Sequence, residues 1–290
     1  KKSMSLGPIL GSGGLAIMIP PSELAVILGA IGLISIAKIL MGIILPGLML
    51  AALYATYIII RCKFQPSLAP PYTVSPVPIS KRLITTIRYV LPVGVIVFLV
   101  VGVILLGIAT PTEAGATGTL GIFALAAAFR KLNWEVVKTS FKHSLQVTTM
   151  VFMIIAGASL FSQNLASSGA TRGLIEFTIG LPISPVFILI TMQVIIMVLG
   201  MFMEAVSIMM VAIPLFMPVI NNLGFNPVWF AVIMLLNIDM GTISPPFGLS
   251  LFVMKGVAPP DTTMGDIYKA SLPFLGLDLI VMALIITFPA

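Results

Sequence analysis

The sequence predicts an all-α, polytopic membrane protein whose transmembrane helices are interrupted at defined points. Hydrophobic residues make up 59% of the chain and charged residues only 8%, whereas soluble domains carry roughly 45–50% and about 25%. The apolar runs are long and continuous, without the alternation of a β-barrel strand. Proline pairs stand within two apolar regions, where a broken helix needs a buried or polar surrounding. These features predict broken transmembrane helices and re-entrant hairpins in inverted repeats.

The first repeat is predicted to end within residues 1–60, with an unwound helix at residues 11–22. Glycines give the backbone conformational freedom there, and the proline pair removes two N–H donors. A hydroxyl side chain follows directly and is also suited to cap the next helix. The residues that carry this pattern are Gly11, Gly13, Gly14, Pro20, Pro21 and Ser22. Apolar segments continue to residue 60.

Two linkers hold most of the basic residues. The first spans residues 61–88 and is rich in proline, including Pro70, Pro71 and Pro76, and the second lies at residues 130–142. Two apolar segments separate the linkers, so both are predicted on one side of the membrane, the cytoplasm, by the positive-inside rule. The net charge of +6 therefore indicates topology rather than binding to nucleic acid.

The second repeat is predicted over residues 89–290, with scaffold helices, a hairpin around residues 200–207 and a last helix at residues 271–288. Glu204 stands at the hairpin tip between two apolar arms, and the alternative is a carboxylate solvated at the membrane interface. Glu113 follows Thr-Pro-Thr and is expected to cap the next helix. Asp278 is expected to be a buried hydrogen-bond partner between helices.

The second unwound helix is predicted at residues 237–249. Its carbonyl groups and nearby polar side chains suit a small hard cation such as sodium. Asp239 is expected to face either the cavity or the scaffold. A simple proline kink against a neighbouring helix is the competing interpretation. The residues that define the break are Asn237, Gly241, Thr242, Ser244, Pro245, Pro246 and Gly248.

The two broken regions resemble each other. Each begins as Pro-Pro in a break that contains glycine and ends as Leu-Pro within an apolar span, at Pro46 and at Pro273. Broken helices in corresponding positions of two repeats indicate the binding site of a transporter.

The sequence lacks the residues that other classes of function require. Cys62 is the only cysteine and His143 the only histidine, so neither an intrachain disulfide nor a cluster for a transition metal is expected. Motifs of intramembrane or zinc-dependent hydrolysis are absent from the sequence, and no ATP-binding motif is present. The sequence therefore predicts a transporter, not an enzyme, without an organic cofactor.

Five motifs together resemble a known family, the large membrane subunit (DctM-like permease) of tripartite ATP-independent periplasmic (TRAP) transporters. The resemblance extends over the whole chain in order. The motifs are GGLAIMIPPS at 13–22, ATPTEA at 109–114, GMFME at 200–204, NPVWF at 226–230 and GTISPPFGL at 241–249.

The resemblance implies a sodium-coupled secondary transporter with an elevator mechanism, multi-pass in a bacterial inner membrane. Its partners would be a small membrane subunit and a periplasmic substrate-binding protein, and its solute a small carboxylate. It also implies that sodium and substrate are bound where the hairpin tips meet the unwound helices. On that basis the site residues are Gly13, Gly14, Ser22, Glu204, Ser207, Asn237, Thr242 and Gly248.

Two departures from the family pattern are visible. The family commonly has Asp at the position of Glu204, and its large subunit is longer at the N-terminus, so the chain is expected to be an N-terminally incomplete piece. Two alternatives stay open: a transporter of dicarboxylates or ions with similar fold that needs no binding protein, and an inactive scaffold fragment.

Overall fold

The computed structural model describes residues 2–68 and 78–289. Every regular element within these residues is helical, which confirms the predicted fold class. The predicted linker prolines Pro70, Pro71 and Pro76 lie outside the described residues. The helices are α1 (Lys2–Met18), α2 (Glu23–Gly32), α3 (Ile36–Gly42), α4 (Ile44–Phe64), α5 (Ile79–Val97), α6 (Val103–Leu105), α7 (Pro111–Ala128), α8 (Trp134–Ser167), α9 (Ala170–Gly180), α10 (Pro185–Phe202), α11 (Ala205–Asn222), α12 (Pro227–Thr242), α13 (Leu249–Val257) and α14 (Met264–Thr287).

The chain forms two compact units, one comprising Lys1–Pro70 with Ile154–Ala290 and the other Pro71–Met153. In the first unit α12 is the central helix, since every residue from Trp229 to Gly241 is buried. Helices α1, α2, α3, α10, α11 and α14 all contact it. A helix that is apolar on every side belongs in the middle of a bundle.

Helix α1 packs tightly because glycines form one of its faces. A Cβ atom at Gly7 or Gly11 would lie 2.7 or 2.3 Å from ring atoms of Phe274 in α14. A Cβ atom at Gly14 would lie 1.8 Å from a carboxyl oxygen of Asp239 in α12. Small residues in this spacing allow helices to approach closely within a membrane. Glycine therefore determines where α1 lies against α12 and α14.

The second unit begins with α5, which continues through one π turn at Phe98–Gly102 into α6. Because α5 starts at Ile79 with Pro78 as its N-cap residue, the predicted linker boundary at residue 88 is wrong: Lys81, Arg82 and Arg88 lie within the helix. Among the described residues the interhelical linker is residues 65–68 together with Pro78.

Helix α7 begins with a capping box, as expected for Glu113. The Thr110 N–H donates to Glu113 Oε2 at 2.8 Å, and the Glu113 N–H donates to Thr110 Oγ1 at 3.4 Å. Hydrogen bonds from the Thr110 backbone and hydroxyl lower the pKa of the Glu113 carboxyl, because they favour its charged form. The cap involves only residues three positions apart in the chain, so the sequence motif alone predicts it.

Six helical segments within the described residues are long and apolar enough to cross a membrane. A seventh is possible if α1 and α2, which meet at 45°, form one bent span. The segments are Ile36–Phe64, Ile79–Leu105, Trp134–Ser167, Pro185–Phe202, Ala205–Asn222 and Met264–Thr287.

Helix α7 is not one of these six segments. The prediction that both basic linkers lie in the cytoplasm requires two membrane crossings between them. Among the described residues, one segment between the linkers is long and apolar enough to cross a membrane. The sidedness thus stays a prediction. Residues 60 and 89 were predicted as the boundaries of two related repeats. The division into compact units does not test whether the two segments are related, so these boundaries stay a prediction.

Candidate functional site

The second helix break is a short segment between α12 and α13. Helix α12 continues through Asn237 and ends at Thr242, and α13 begins at Leu249. The predicted unwound stretch of residues 237–249 is therefore too long, and the break covers residues 243–248. Asn237 and Asp239 keep their backbone hydrogen bonds within the helix, because nothing before the proline pair removes a donor.

Two carbonyl groups converge inside this break. A Cβ atom at Gly248 would lie 2.4 Å from the Thr242 carbonyl oxygen and 2.8 Å from the Ser244 carbonyl oxygen. The Gly248 N–H donates to the Ser244 carbonyl oxygen at 3.0 Å. Only a residue without a side chain leaves this small concave space open. Carbonyl oxygens at an unwound helix are the ligands by which transporters coordinate sodium.

The hydroxyl of Thr242, at the end of α12, and that of Ser244, in the break, both bond to the last turn of α12. Thr242 Oγ1 donates to the Asp239 carbonyl oxygen at 2.8 Å, and Ser244 Oγ donates to the Met240 carbonyl oxygen at 2.7 Å. Each hydroxyl thus satisfies a carbonyl that the interrupted helix leaves without its usual partner. Their oxygen lone pairs remain available as acceptors or ligands.

Tyr268 is a residue of this site that the sequence reasoning missed. Its hydroxyl donates to the carbonyl oxygen of Pro246 at 2.8 Å, and so connects α14 to the proline pair. No local motif marks it, because the two residues are far apart in sequence. The hydrogen bond holds the second break against α14.

The predicted hairpin tip adjoins the second break. Helix α10 ends at Phe202, whose ring centroid lies 5.2 Å from that of Phe247 in the break. A Cβ atom at Gly200 would lie 2.9 Å from the Gly241 Cα atom, so the two backbones touch. The structure therefore brings the motifs at 200–204 and 241–249 together, as the resemblance implied.

Glu204 is exposed and serves as the N-cap of α11. Its Oε2 atom accepts from the Val206 N–H at 2.9 Å and from the Ser207 N–H at 3.4 Å. The carboxylate thereby balances the positive end of the α11 dipole. Ser207 lies in the first turn of α11 and is half-buried, and its backbone N–H is the group that meets Glu204.

Asn237 is held by α10 rather than by the break. Its Nδ2 atom donates to the Gln193 carbonyl oxygen at 2.5 Å and to Gln193 Oε1 at 2.8 Å. Asn237 Oδ1 and Gln193 Nε2 are buried without a hydrogen-bond partner among the described residues. The amide oxygen of Asn237 is therefore free to accept a further bond or to bind a cation.

The first break is shorter than predicted. Helix α1 runs to Met18 and α2 begins at Glu23, so only residues 19–22, which include Pro20 and Pro21, are unwound. Ser22 is buried and caps α2 by accepting from the Ala25 N–H at 3.3 Å. The prediction of an unwound helix from residue 11 is wrong, because glycines in tight contact with α14 and α12 support a helix.

Gly13 and Gly14 therefore do not lie in the break but in α1. Gly13 is exposed, with open space at its Cβ position, whereas Gly14 packs on Asp239. The structure connects Gly14 with α12, and it shows no such contact at the Cβ position of Gly13.

The family described as "Tripartite ATP-independent periplasmic transporter, DctM component" matches residues 1–290. This chain belongs to the DctM family. It is similar to the C4-dicarboxylate TRAP transporter large permease protein of Pseudomonas aeruginosa, with 28% identity over 100% of this chain and 66% of the relative. The corresponding Vibrio cholerae protein is 29% identical over 95% of this chain and 64% of the relative. The ectoine TRAP transporter large permease of Halomonas elongata is 29% identical over 99% of this chain and 66% of that protein.

The chain thus spans about two thirds of the length of the curated relatives that it matches. These relatives are named as transporter permeases and not as enzymes. Membership of the DctM family and six apolar helices of sufficient length within the described residues identify the chain as part of a multi-pass membrane protein.

Proposed function

We propose that this DctM chain is the core of a large permease that imports a small organic acid across a bacterial inner membrane, driven by sodium. The match to the family over the whole chain supports the assignment of the chain to a transporter. Relatives are named for C4-dicarboxylates, sialic acid, ectoine and isethionate. These solutes share small size and polarity, and we propose that the solute of this chain carries a carboxylate.

Sodium coupling is assigned to the second break. The carbonyl oxygens of Thr242 and Ser244 converge at Gly248, and the Thr242 hydroxyl oxygen lies at the same helix end. This set consists only of oxygen atoms, which suits a hard cation. The residues present therefore fit a sodium ion, with Thr242, Ser244 and Gly248 as the binding segment.

The hairpin tip completes the proposed site. Gly200 contacts Gly241 and the ring of Phe202 contacts that of Phe247, so movement of the tip alters the break directly. Glu204 and Ser207 are assigned a role in binding at the start of α11, where the Glu204 carboxylate accepts from the Val206 and Ser207 N–H groups. Ser22 occupies the corresponding start of α2 at the first break.

The proposed partners are a small membrane subunit and a periplasmic substrate-binding protein. The family is named as a tripartite periplasmic transporter, which supports a periplasmic component that delivers the solute. Loss of uptake when the binding protein is omitted supports this assignment. Undiminished uptake without it favours instead a transporter of similar fold that works alone.

The test of sodium coupling is uptake by the complete transporter in proteoliposomes, with and without a sodium gradient. Thr242→Ala removes the hydroxyl at the break and is expected to raise the sodium concentration needed for half-maximal uptake about tenfold. Thr287→Ala is the matched control, because its hydroxyl donates to the Ala283 carbonyl oxygen at 2.7 Å in the same manner, at the end of α14. Uptake that persists without a sodium gradient refutes the coupling.

A further inference from the structure

Two adjoining cavities of the first unit are lined by residues outside both helix breaks. The larger has a volume of about 410 Å³ and lies between the α3–α4 segment, the first turns of α12 and the end of α14. Its apolar walls include Met41, Leu45, Met49, Trp229 and Phe288. The second cavity, of about 330 Å³, shares Asn226 and Val228 with the first. The two cavities therefore form one continuous groove.

The second cavity is the polar end of this groove. Its lining includes the exposed residues Ser35, Lys38, Asn221 and Asn226. Ser35 Oγ accepts from the Lys38 N–H at 3.4 Å, and Asn226 Oδ1 accepts from a backbone N–H of α12 at 2.9 Å. The serine hydroxyl hydrogen and the Asn226 amide nitrogen are left to donate to a ligand. Among the described residues no ion pair involves Lys38, so this end offers a positive charge and donors to an anionic group.

The polar end lies at a boundary of the membrane, because several apolar helices begin or end beside the groove. The apolar segment Ile36–Phe64 begins two residues before Lys38, α11 ends at Asn222, α12 begins at Pro227 and α14 ends at Thr287. Lipid headgroups occupy the region outside the hydrocarbon core. Lys38 therefore stands at the level of the headgroups, where lysine side chains reach the interface.

The groove has the depth of one leaflet of a bilayer. Met49 lies eleven residues beyond Lys38 in the same apolar segment, which at about 1.5 Å per residue is roughly 16 Å. Half of a hydrocarbon core of about 30 Å is about 15 Å. The groove thus extends from the level of the headgroups to about the middle of the bilayer.

The apolar cavity is too narrow for a helix of another protein. Its lining extends from Met41 to Met49, about 12 Å of helix, so a volume of about 410 Å³ corresponds to a cross-section of roughly 35 Å². A helix with its side chains is about 10 Å wide and occupies roughly 80 Å². The cavity therefore has room for an extended hydrocarbon chain but not for a helix.

Trp229 forms the closed wall of the apolar cavity. It is 7% exposed, and its indole N–H donates to the Ile285 carbonyl oxygen at 2.8 Å. Because this polar group is satisfied, the ring acts as an apolar surface. On the opposite side Leu45 and Phe288 are exposed, so the cavity opens towards the surrounding lipid.

We propose that this groove binds one anionic phospholipid, with the phosphate group at Lys38 and one acyl chain in the apolar cavity. The charge of Lys38 and the two side-chain donors match the headgroup, and the depth and width of the cavity match the chain. A lipid in this position connects α3, α12 and α14 within one leaflet. The inference depends neither on sodium coupling nor on the identity of the solute.

Trp229 provides a direct probe of the bound chain. The protein has two tryptophans, so Trp134→Phe leaves Trp229 as the only one. This parent protein, as the purified full chain in detergent, is titrated with phosphatidylglycerol or phosphatidylcholine whose acyl chains carry bromine, which quenches tryptophan fluorescence on contact. Phosphatidylglycerol is expected to quench Trp229 saturably, with an affinity about fivefold higher than that of zwitterionic phosphatidylcholine.

Two substitutions in the parent protein test the headgroup and the chain separately. Lys38→Gln removes the charge and is expected to reduce the affinity for phosphatidylglycerol to that for phosphatidylcholine. A Cβ atom at Gly42 would lie 3.0 Å from Val232 Cγ2 and 3.7 Å from Val228 Cγ1, and all three residues line the cavity. Gly42→Leu therefore fills the cavity and is expected to abolish saturable quenching by both lipids.

Each substitution has a matched control. Lys63→Gln removes an exposed lysine near the other end of the same apolar segment. Gly276→Leu adds the same side chain on α14, where the Cβ position faces open space. Neither residue lines the groove, so both variants are expected to bind lipid as the parent protein does.

Four results overturn the proposal. In the parent protein these are quenching that does not saturate and equal affinities for the two lipids. In the variants they are an unchanged lipid preference in Lys38→Gln, whose exposed side chain is not needed for folding, and unchanged quenching in Gly42→Leu. Complete loss of quenching when the small membrane subunit is added would also contradict it, because a protein partner would then occupy the groove.

Discussion

Replacing Gly14 by alanine tests how closely α1 packs on α12. The added carbon would lie 1.8 Å from Asp239 Oδ2, 2.2 Å from Cγ and 2.3 Å from Oδ1. Carbon and oxygen atoms normally stay about 3.3 Å or more apart, so the carboxyl group or the helix must move by more than about 1 Å. Overpacking of this kind costs about 1–3 kcal/mol, and the helix preference of alanine offsets about 0.5–1 kcal/mol. The expected net loss lies between about 0 and about 2.5 kcal/mol.

Gly13→Ala is the matched control for this substitution. Gly13 is the preceding residue of the same helix, is exposed, and has open space at its Cβ position. Only the gain of about 0.5–1 kcal/mol from helix preference is expected there. The measurement is unfolding of the purified full chain in detergent, by heat or by denaturant. Equal stability of the two variants would refute the close contact between α1 and the Asp239 carboxyl group.

Three further substitutions test other contacts, each by the same unfolding measurement. Gly241→Ala places a carbon 2.7 Å from the Gly200 Cα atom and is expected to cost about 1–3 kcal/mol; unchanged stability would contradict the backbone contact between α10 and α12. Asn237→Ala leaves Gln193 Oε1 without its donor and is expected to cost about 1–3 kcal/mol; a neutral effect would contradict the buried amide pair. Thr110→Ala removes the cap of α7 and is expected to cost about 1 kcal/mol, with no change if the capping box does not form.

Local features of the site were predictable from the sequence. The capping box at Thr110 needs only residues that are three positions apart, and Ser22 caps α2 for the same reason. The proline pair at Pro245 and Pro246 marks a break because proline lacks an N–H group wherever it stands. The predicted break was longer than the observed one, since glycine permits an unwound backbone but does not require one.

Contacts between distant residues were not predictable in the same way. Gly13 and Gly14 are adjacent and chemically identical, yet one faces open space and the other faces Asp239. Which glycine allows close packing depends on the rotation of α1 against α12. Similarly, Tyr268 reaches Pro246 from α14, and no pattern within either segment indicates that pairing.

The sequence by itself determined the class of this protein, its helical fold, its family and the positions of both breaks. These properties follow from composition and from residues close together in the chain, since apolar length requires a membrane and proline interrupts a helix. The tertiary structure decided that Tyr54 of α4 donates a hydrogen bond to Asp278 of α14 and that Gly14 of α1 lies against Asp239 of α12. These helices must pack at a specific rotation before those groups meet, and that packing depends on the shapes of all their neighbours.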